Sequence, residues 1–401
     1  MRKIVKAALG LLLVLVVAAV AGWFSLDKET RGLLATLPTN TDLLFWNQKQ
    51  RDAAFRALDR LPVLAKSRVI AAGGTPRPLP PGPPLELPID LDAYMASQRN
   101  AALVVVHDGK LRLERYGLAF DANGRWTSFS VAKSITSTLV GAALRDGHIR
   151  SMDDRVSDYI ADMKGSAYDD VTVRQLLTMT SGVQWDEDYD DPESDVARFN
   201  NHEPPAGVDA LVSYMRDLPR ESPPGSRWNY STGETNLVGI LVARATGRPL
   251  ADYLSEKIWK PAGMEQDATW ILGRTGSEIS GCCIQAAPRD FARFGLFILE
   301  GARADGQSIV PEGWLEEATT RQADIGVPGR GYGYQWWTLD DGSFMARGIF
   351  GQGIFIDPKR RLVIASNANW AGGARDPAAM RARDEFYRAV QAAVDAETAS
   401  R

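Results

Sequence analysis

"SFSVAKSIT" (residues 128–136) decides how the chain is interpreted, because it places a serine and a lysine three residues apart. On a helix this spacing puts both side chains on one face, so the Lys133 ammonium can reach the Ser130 hydroxyl. Serine needs a base to act as a nucleophile, and lysine serves when its pKa is lowered. A helix beginning at Ser130 would also supply free N–H groups for an oxyanion. The alternative is a serine that caps the helix, with Lys133 in solvent.

Other patterns of serine catalysis are missing from the sequence. A second Ser-x-x-Lys, Ser25-Leu26-Asp27-Lys28, follows an apolar segment where no cavity is expected. No serine stands in Gly-x-Ser-x-Gly, the nucleophile elbow of α/β-hydrolases. The 3 histidines fit a Ser-His-Asp triad poorly, because His107 lies at a hairpin turn, His148 beyond a helix end and His202 in a polar loop.

A tyrosine provides the third element of the pattern. "PPGSRWNYSTGETNLVGIL" (223–241) places Tyr230-Ser231-Thr232 in a turn just before an apolar helix. A lysine cation favours phenolate, so a tyrosine beside Lys133 can share its proton and act as a base.

Ser130-Val131-Ala132-Lys133 followed by Tyr230-Ser231-Thr232 resembles the serine β-lactamase and penicillin-binding-protein superfamily, nearest to class C β-lactamases and their esterase relatives. "LLTMTSGVQWDEDYDDPESD" (176–195) and "GIFGQGIFIDP" (348–358) resemble its 6-aminohexanoate-oligomer hydrolase branch. The resemblance spans roughly Leu103 to Val390. It implies an α+β, β-lactamase/transpeptidase-like fold, with an antiparallel sheet flanked by helices and a mainly helical subdomain.

The resemblance also implies the roles of the residues. Ser130 would be the acylated nucleophile, Lys133 its proton partner, and Tyr230 the general base and later the acid for the leaving group. Tyr189, in "DEDYDDP", matches the tyrosine that closes over substrate in the oligomer-hydrolase branch. An exposed aromatic residue in a surface loop is the alternative for Tyr189.

The third motif of the superfamily is usually Lys-Thr-Gly on the edge strand beside the nucleophile. Here the best match is Ala346-Arg347-Gly348, so Arg347 and Gly348 become candidate substrate-binding residues. The backbone N–H of the following Ile349 would pair with that of Ser130 as the oxyanion hole. Arg347 either supplies a cation to substrate or points away from the site, because strand side chains alternate.

Departures from the family pattern bear on the substrate. The lysine and threonine of the third motif are absent, and the second motif ends in Thr232 where β-lactamases usually have asparagine. Strong β-lactamase activity is therefore not expected. We expect hydrolysis of a carboxylic ester or short amide, with no metal or organic cofactor. Two alternatives stay open: a D-amino-acid peptidase or weak β-lactamase acting on cell-wall substrates, and a non-catalytic envelope binding protein.

Two hairpins near opposite ends of this unit predict one antiparallel sheet closed by distant parts of the chain. "ALVVVHDGKLRLERYG" (102–117) turns at Asp108-Gly109, and "QGIFIDPKRRLVIASN" (352–367) turns at Asp357-Pro358. Apolar spacing predicts the helices between and after them, which span 131–146, 173–179, 235–246, 287–301 and 377–394. "GYGYQWW" (331–337) supplies core residues or pocket wall.

We predict three parts: residues 1–25, an N-terminal extension at 26–100, and a hydrolase domain at 101–398 with a helical insertion at about 149–287. The extension holds an amphipathic helix at 45–61, ended by Pro62, and a proline-rich connector at 73–90. "MRKIVK" and the uncharged run Ala7–Ser25 predict a signal peptide or a membrane anchor. The protein should be exported, with its catalytic part outside the cytoplasm.

Composition excludes several partners. The formal net charge of −4 and the absence of a lysine- or arginine-rich block make nucleic acid an unexpected partner. The 2 cysteines, Cys282 and Cys283, are adjacent, so we expect free, buried thiols and no metal ligand set. The acidic run Asp186–Asp195 lacks the glycine and spacing of an EF-hand and predicts a solvated loop.

Overall fold

An eight-stranded antiparallel sheet is the centre of the computed structural model, which describes residues 2–36, 43–60 and 65–399. The strand order is β3-β2-β14-β13-β12-β11-β10-β9. These strands are β2 (Asn100–His107), β3 (Lys110–Tyr116), β9 (Ala323–Asp324), β10 (Arg330–Tyr332), β11 (Trp337–Leu339), β12 (Phe344–Arg347), β13 (Gly353–Asp357) and β14 (Leu362–Ala368). Both predicted hairpins are confirmed, and β2 pairs with β14, as expected for a sheet closed by distant parts of the chain.

The prediction of a single sheet was incomplete. A second antiparallel sheet has the order β1-β5-β6-β4, and β7 (Arg303–Ala304) and β8 (Gln307–Ser308) form a separate ribbon. The strands of the second sheet are β1 (Ser67–Ile70), β4 (Trp126–Thr127), β5 (Ala268–Ile271) and β6 (Ile284–Ala286). Strands of two to four residues carry too little alternation to be recognised from sequence.

Fourteen α-helices lie within the described residues. They are α1 (Arg2–Ser25), α2 (Lys28–Ala35), α3 (Gln48–Ala54), α4 (Leu91–Ser97), α5 (Val131–Arg145), α6 (Val156–Tyr159), α7 (Val173–Leu177), α8 (Asp195–Arg198), α9 (Ala210–Arg216), α10 (Thr232–Thr246), α11 (Leu250–Leu254), α12 (Pro288–Leu299), α13 (Trp314–Thr319) and α14 (Pro377–Ala399). The five helices predicted within the hydrolase domain are all present as α5, α7, α10, α12 and α14. The predicted insertion at 149–287 holds α6 to α11 and then β5 and β6.

The central sheet is covered on both faces, which explains why β2 is apolar throughout. Val104 and Val106 face the large cluster that includes α5 and α12, while Leu103 and Val105 face α4 and α14. Side chains alternate between the faces of a strand, so continuous apolar residues indicate a strand buried on both sides. Gly295 lets α12 approach the sheet closely, because a Cβ there would lie 2.4 Å from Val363.

Helices α5 and α10 pack against each other in the interior. Residues from Val131 to Ala143 are all buried, and so are those from Thr232 to Val242. Helix α10 ends at Gly247, whose φ of 66° gives the left-handed C-cap that glycine adopts at low cost. The two helices therefore form a rigid base under the N-terminal ends from which Ser130 and Thr232 are presented.

The N-terminal extension packs against the hydrolase domain. Phe55 is fully buried, and its ring contacts those of Phe129 and Phe350 with centroids 4.8 and 5.3 Å apart. The backbone N–H of Thr127 donates to the carbonyl of Phe55 at 2.9 Å, and Asp59 accepts from the Thr269 hydroxyl at 2.8 Å. The extension is thus part of the same packed body.

The helix predicted at 45–61 was too long. Helix α3 covers only Gln48–Ala54, and turns follow it because Phe55 enters the aromatic cluster with Phe129 and Phe350. Leu61 and Pro62, the predicted end, lie outside the described residues. The proline-rich connector has no regular structure, as expected, apart from one bridge between Pro81 and Leu111.

Two further features concern the N-terminus and the cysteines. The stretch Ile4–Ser25 of α1 is long and apolar enough to cross a membrane, and a signal sequence has the same properties. Cys282 and Cys283 form a vicinal disulfide, so the expectation of free thiols was wrong. Cys283 has a φ of 74°, and this left-handed residue interrupts the alternation that would separate the two side chains in a strand.

Phe55→Ala should destabilise the folded protein by about 3–5 kcal/mol, because it empties a fully buried site between two domain segments. The measurement is chemical denaturation followed by circular dichroism. Phe45→Ala is the matched control, because Phe45 is 42% exposed and its loss should cost under about 1 kcal/mol. Equal losses for the two variants would contradict the packing role of Phe55.

Candidate active site

Ser130 stands at the N-terminus of α5 with its hydroxyl free of any capping role. It occupies the N-cap position, but its side chain makes no hydrogen bond to the first turn. The alternative of a simple capping serine is therefore wrong. Phe129, just before it, has a φ of 43°, a left-handed conformation that is unfavourable for a residue with a side chain. Such conformations persist only where surrounding packing holds them.

Lys133 is buried, which excludes the solvated lysine of the alternative interpretation. Its side chain is 1% exposed, and Nζ donates to Thr232 Oγ1 at 2.8 Å and to the Gly281 carbonyl at 3.0 Å. Burial lowers the pKa of Lys133 to about 8, while the negative charge of Glu187 acts in the opposite direction. A substantial neutral fraction of this amine therefore exists near neutral pH.

Tyr230 lies beside both residues. Lys133 Nζ is 5.2 Å from the centroid of the tyrosine ring, and the Ser130 side chain is near enough to the phenol to lower its pKa. Burial and the charge of Glu187 raise the pKa of Tyr230, and the nearby Ser130 side chain only partly opposes this. The phenol thus keeps its proton at neutral pH, contrary to the expectation that Lys133 would favour phenolate.

Aromatic rings fix the orientation of Tyr230. Trp337 stacks on it with centroids 5.6 Å apart, and Tyr332 contacts it at 6.2 Å. The segment 331–337 supplies core residues, such as Tyr334 and Trp336, while Tyr332 and Trp337 pack on Tyr230; none of its residues lines the cavity at Ser130.

The third motif, Ala346-Arg347-Gly348, lies at the end of β12. This strand runs between β13 and β11, so the expected edge position was wrong. The Arg347 guanidinium lies 4.7 Å from the Trp337 ring and donates to Met380 Sδ at 3.4 Å. It contacts the aromatic support of Tyr230 and is not among the residues that line the cavity at Ser130. A side chain at 348 would be crowded, because a Cβ there would lie 2.5 Å from Gln352 Oε1 and 3.0 Å from the Ser128 carbonyl.

Ser130 and Ile349, the proposed oxyanion-hole pair, line the same cavity. Their neighbours Phe129 and Phe350 are in contact, with ring centroids 5.0 Å apart, and Phe55 packs against both. The aromatic cluster thus holds together the two backbone segments that carry Ser130 and Ile349. The cavity is about 580 Å³, a usual size for a small-molecule site, and Tyr189 and Thr232 also line it.

Glu187 is a site residue that the sequence analysis missed. Its Oε2 accepts from the Thr232 N–H at 2.9 Å and from the Trp185 indole. Its Oε1 accepts from the Tyr189 hydroxyl at 2.6 Å and from the Thr232 hydroxyl. Since Lys133 donates to that same Thr232 oxygen, hydrogen bonds connect the lysine to the carboxylate through one hydroxyl.

The acidic loop is therefore only partly the solvated segment that was predicted. Tyr189 is half-buried, lines the cavity and donates to Glu187, so it is not a free surface aromatic. Its neighbours Asp188 and Asp190 do face outward, where both pair with Arg375. The i, i+2 spacing of Glu187 and Tyr189 in an extended run was the signal that could have revealed the inward face.

A second buried carboxyl lies nearby on α10. Glu234 is 2% exposed and accepts from the Ser181 and Tyr168 hydroxyls. Burial raises the pKa of Glu234 to about 8. Glu234 is not among the residues that line the cavity at Ser130. Its pKa is nevertheless close to that of Lys133.

The remaining candidate chemistry lies elsewhere. His107 contacts Arg112, the His148 ring packs against Tyr253, and His202 contacts Ser213, so no histidine joins Ser130 within the described residues. In residues 4–36, 43–60 and 65–399, no three His, Cys, Asp or Glu side chains cluster in a way that could hold a metal ion.

Comparison with known proteins identifies the family. A family model described as Beta-lactamase matches residues 90–388. A 6-aminohexanoate-dimer hydrolase of Paenarthrobacter ureafaciens is 28% identical over 300 residues, covering 70% of this chain and 75% of that protein. Esterase EstB of Burkholderia gladioli is 24% identical over 364 residues, covering 72% of this chain and 90% of the esterase.

Solved structures share the fold. A Bacillus anthracis protein assigned as a 6-aminohexanoate-dimer hydrolase has a TM-score of 0.77 at 22% identity, covering 88% of this chain and 96% of that one. A penicillin-binding protein from Bacillus halodurans has a TM-score of 0.59 at 18% identity, covering 74% and 100%. The fold is thus β-lactamase/transpeptidase-like, as the resemblance implied. With a family model matched over most of its length, the chain belongs to the β-lactamase family of serine hydrolases.

Proposed function

We propose that the protein hydrolyses carboxylic esters or short amides through an acyl-enzyme formed on Ser130. The observation that carries this proposal is a serine hydroxyl at a helix N-terminus that makes no capping bond, lies beside Tyr230 and is one helical turn from the buried Lys133. The lowered pKa of Lys133 supports its role as the proton acceptor. Relatives named 6-aminohexanoate-dimer hydrolase and Esterase EstB support these two substrate classes.

The opposite pKa shifts of Lys133 and Tyr230 favour different roles for the two residues in proton transfer. Lys133 is the base that is available at neutral pH, because burial lowers the pKa of the amine but raises that of the phenol, which therefore stays protonated. Tyr230, in contact with Ser130, transfers the serine proton toward Lys133 as Oγ attacks the carbonyl carbon. The same proton returns through Tyr230 to the leaving alcohol or amine, and water then cleaves the Ser130 ester by the reverse transfers.

Backbone donors near Ser130 complete the proposed site. The N–H groups of Ser130 and Ile349 stabilise the negative charge that develops on the carbonyl oxygen. Tyr189 covers the cavity, and its hydroxyl is held in place by its hydrogen bond to Glu187. Gly348 contributes by permitting close backbone approach, and Arg347 by packing on Trp337, which holds Tyr230.

Helix α1 supports a place of action outside the cytoplasm. The apolar stretch Ile4–Ser25 has the properties of a signal sequence or of an anchor, and either role would export the hydrolase domain. Basic residues before the helix favour the orientation with the domain outside the cytoplasm.

Ser130→Ala should abolish labelling by a fluorophosphonate probe and reduce p-nitrophenyl butyrate hydrolysis at least about a thousandfold, because it removes the oxygen proposed to form the acyl-enzyme. Ser137→Ala is the matched control, because Ser137 is a buried serine of the same helix whose hydroxyl has no partner. It should label like the natural protein. A folded natural protein that resists labelling would overturn the nucleophile assignment.

The pH dependence of kcat/KM should show an acid limb near pH 8, since acylation needs neutral Lys133 and the neutral fraction falls about tenfold per pH unit below its pKa. Glu187→Gln removes the negative charge that raises the pKa of Lys133, so the limb should move to lower pH.

Two variants test whether this shift belongs to the Lys133–Glu187 pair. Glu193→Gln makes the same change on an exposed residue of the same acidic loop and should leave the limb in place. Glu234→Gln removes the other group with a pKa near 8. If the acid limb of the pH profile disappears in Glu234→Gln and is unchanged in Glu187→Gln, Lys133 is not the titrating base.

A further inference from the structure

The cavity at Ser130 continues into an apolar chamber whose outer wall is the N-terminal extension. On the extension side the wall consists of Leu33, Leu43, Leu44, Phe45, Trp46 and Leu58. Val196, Phe199, Ile271 and Ile279 line the side formed by the hydrolase domain. Resting on the proposed acyl transfer at Ser130, we propose that this chamber binds the long apolar chain of an amphiphilic ester or amide.

The chamber is preformed, because contacts within the extension and a contact to the hydrolase domain hold its outer wall in place. Asp27 pairs with Arg60 at 2.5 Å, which joins the start of α2 to the turn after α3. Arg51 donates to the Ala371 carbonyl at 3.1 Å, and Arg99 pairs with Asp52 at 2.6 Å. Because this wall is already ordered, an apolar chain can bind without the entropy loss of ordering the wall.

Charge at the chamber selects against a cationic chain end. The charged side chains that line it are Lys66 and Arg274, both exposed at its mouth. Glu187, the carboxylate nearest to Lys133, accepts from four donors on Thr232, Trp185 and Tyr189. It has no remaining capacity for a substrate ammonium. A neutral or anionic end group therefore suits this site better than an amine.

The position of α1 agrees with a substrate taken from a lipid surface. Helix α2 begins directly after the apolar helix, and its Leu33 already belongs to the chamber wall. Lys28, at the start of α2, donates to the Ala119 carbonyl of the hydrolase domain at 3.2 Å. The segment that leaves the apolar helix is thus the segment that encloses the chamber.

The test uses the full chain in lipid nanodiscs with two ester series. One series varies the acyl chain, as p-nitrophenyl acetate to decanoate, and the other varies the alcohol, as ethyl to decyl acetate, all below their aggregation concentrations. In one series kcat/KM should rise by up to about fourfold per methylene and at least about tenfold from four to ten carbons. The series that rises identifies the side of the scissile bond that enters the chamber.

Variants in the two walls locate the effect. Leu44→Asp places a charge on the half-buried outer wall, and Ala197→Trp fills space from the opposite side. Each should lower the decanoate-to-butanoate ratio of kcat/KM, or its alkyl counterpart, at least about tenfold. Val69→Asp, on a 53% exposed residue of the same extension outside the chamber, should leave the ratio unchanged.

The outcomes separate this inference from the proposed function. Turnover of short esters with a flat or falling response in both series overturns the chamber proposal while leaving the acyl-enzyme intact. A rising response that survives both Leu44→Asp and Ala197→Trp also overturns it. Absence of turnover for every ester, together with absence of fluorophosphonate labelling, would overturn the proposed function itself.

Discussion

The burial of one ammonium group constrains the whole site. Lys133 is almost completely removed from water, so its N–H donors need acceptors, and a buried charge without them would be strongly destabilising. Thr232, at the first turn of α10, and the Gly281 carbonyl, before β6, provide them. One side chain on α5 therefore fixes the positions of two chain segments that are distant in sequence. Burial disfavours the charged ammonium and so lowers the pKa of Lys133, which makes the neutral amine available as a base.

The aromatic cluster of Phe55, Phe129 and Phe350 places the backbone on the other side of Ser130. Phe129 adopts an unfavourable left-handed conformation, which costs about 1–3 kcal/mol and must be held by its surroundings. The rings of Phe55 and Phe350 enclose it, and Ile349 precedes Phe350 directly. Because Phe55 comes from the N-terminal extension, the extension is part of the machinery that shapes the nucleophile's surroundings.

Strong local signals explain which parts of the fold could be predicted. The Asp108-Gly109 and Asp357-Pro358 turns fixed both hairpins, and apolar spacing with a following glycine located α5 and α10. The second sheet was missed because its strands are short and come from distant segments. Helix α3 was predicted too long because local spacing cannot show that Phe55 packs on residues of another segment. Ser130, Lys133 and Tyr230 came from motifs, whereas Glu187 was hidden in a run of acidic residues.

Glu187 shows why the acidic composition of this loop led to the prediction of a wholly solvated segment. In an extended segment, alternate side chains face opposite ways, so a run of carboxylates can have two environments. Glu187 and Tyr189 face the site and bond to each other, while Asp188 and Asp190 face outward and pair with Arg375, after β14. The loop thus bridges the helical part, through Thr232, and the sheet part, through Arg375. Exposed ion pairs contribute little stability by themselves, but here they hold the inward carboxylate within reach of the charge on Lys133.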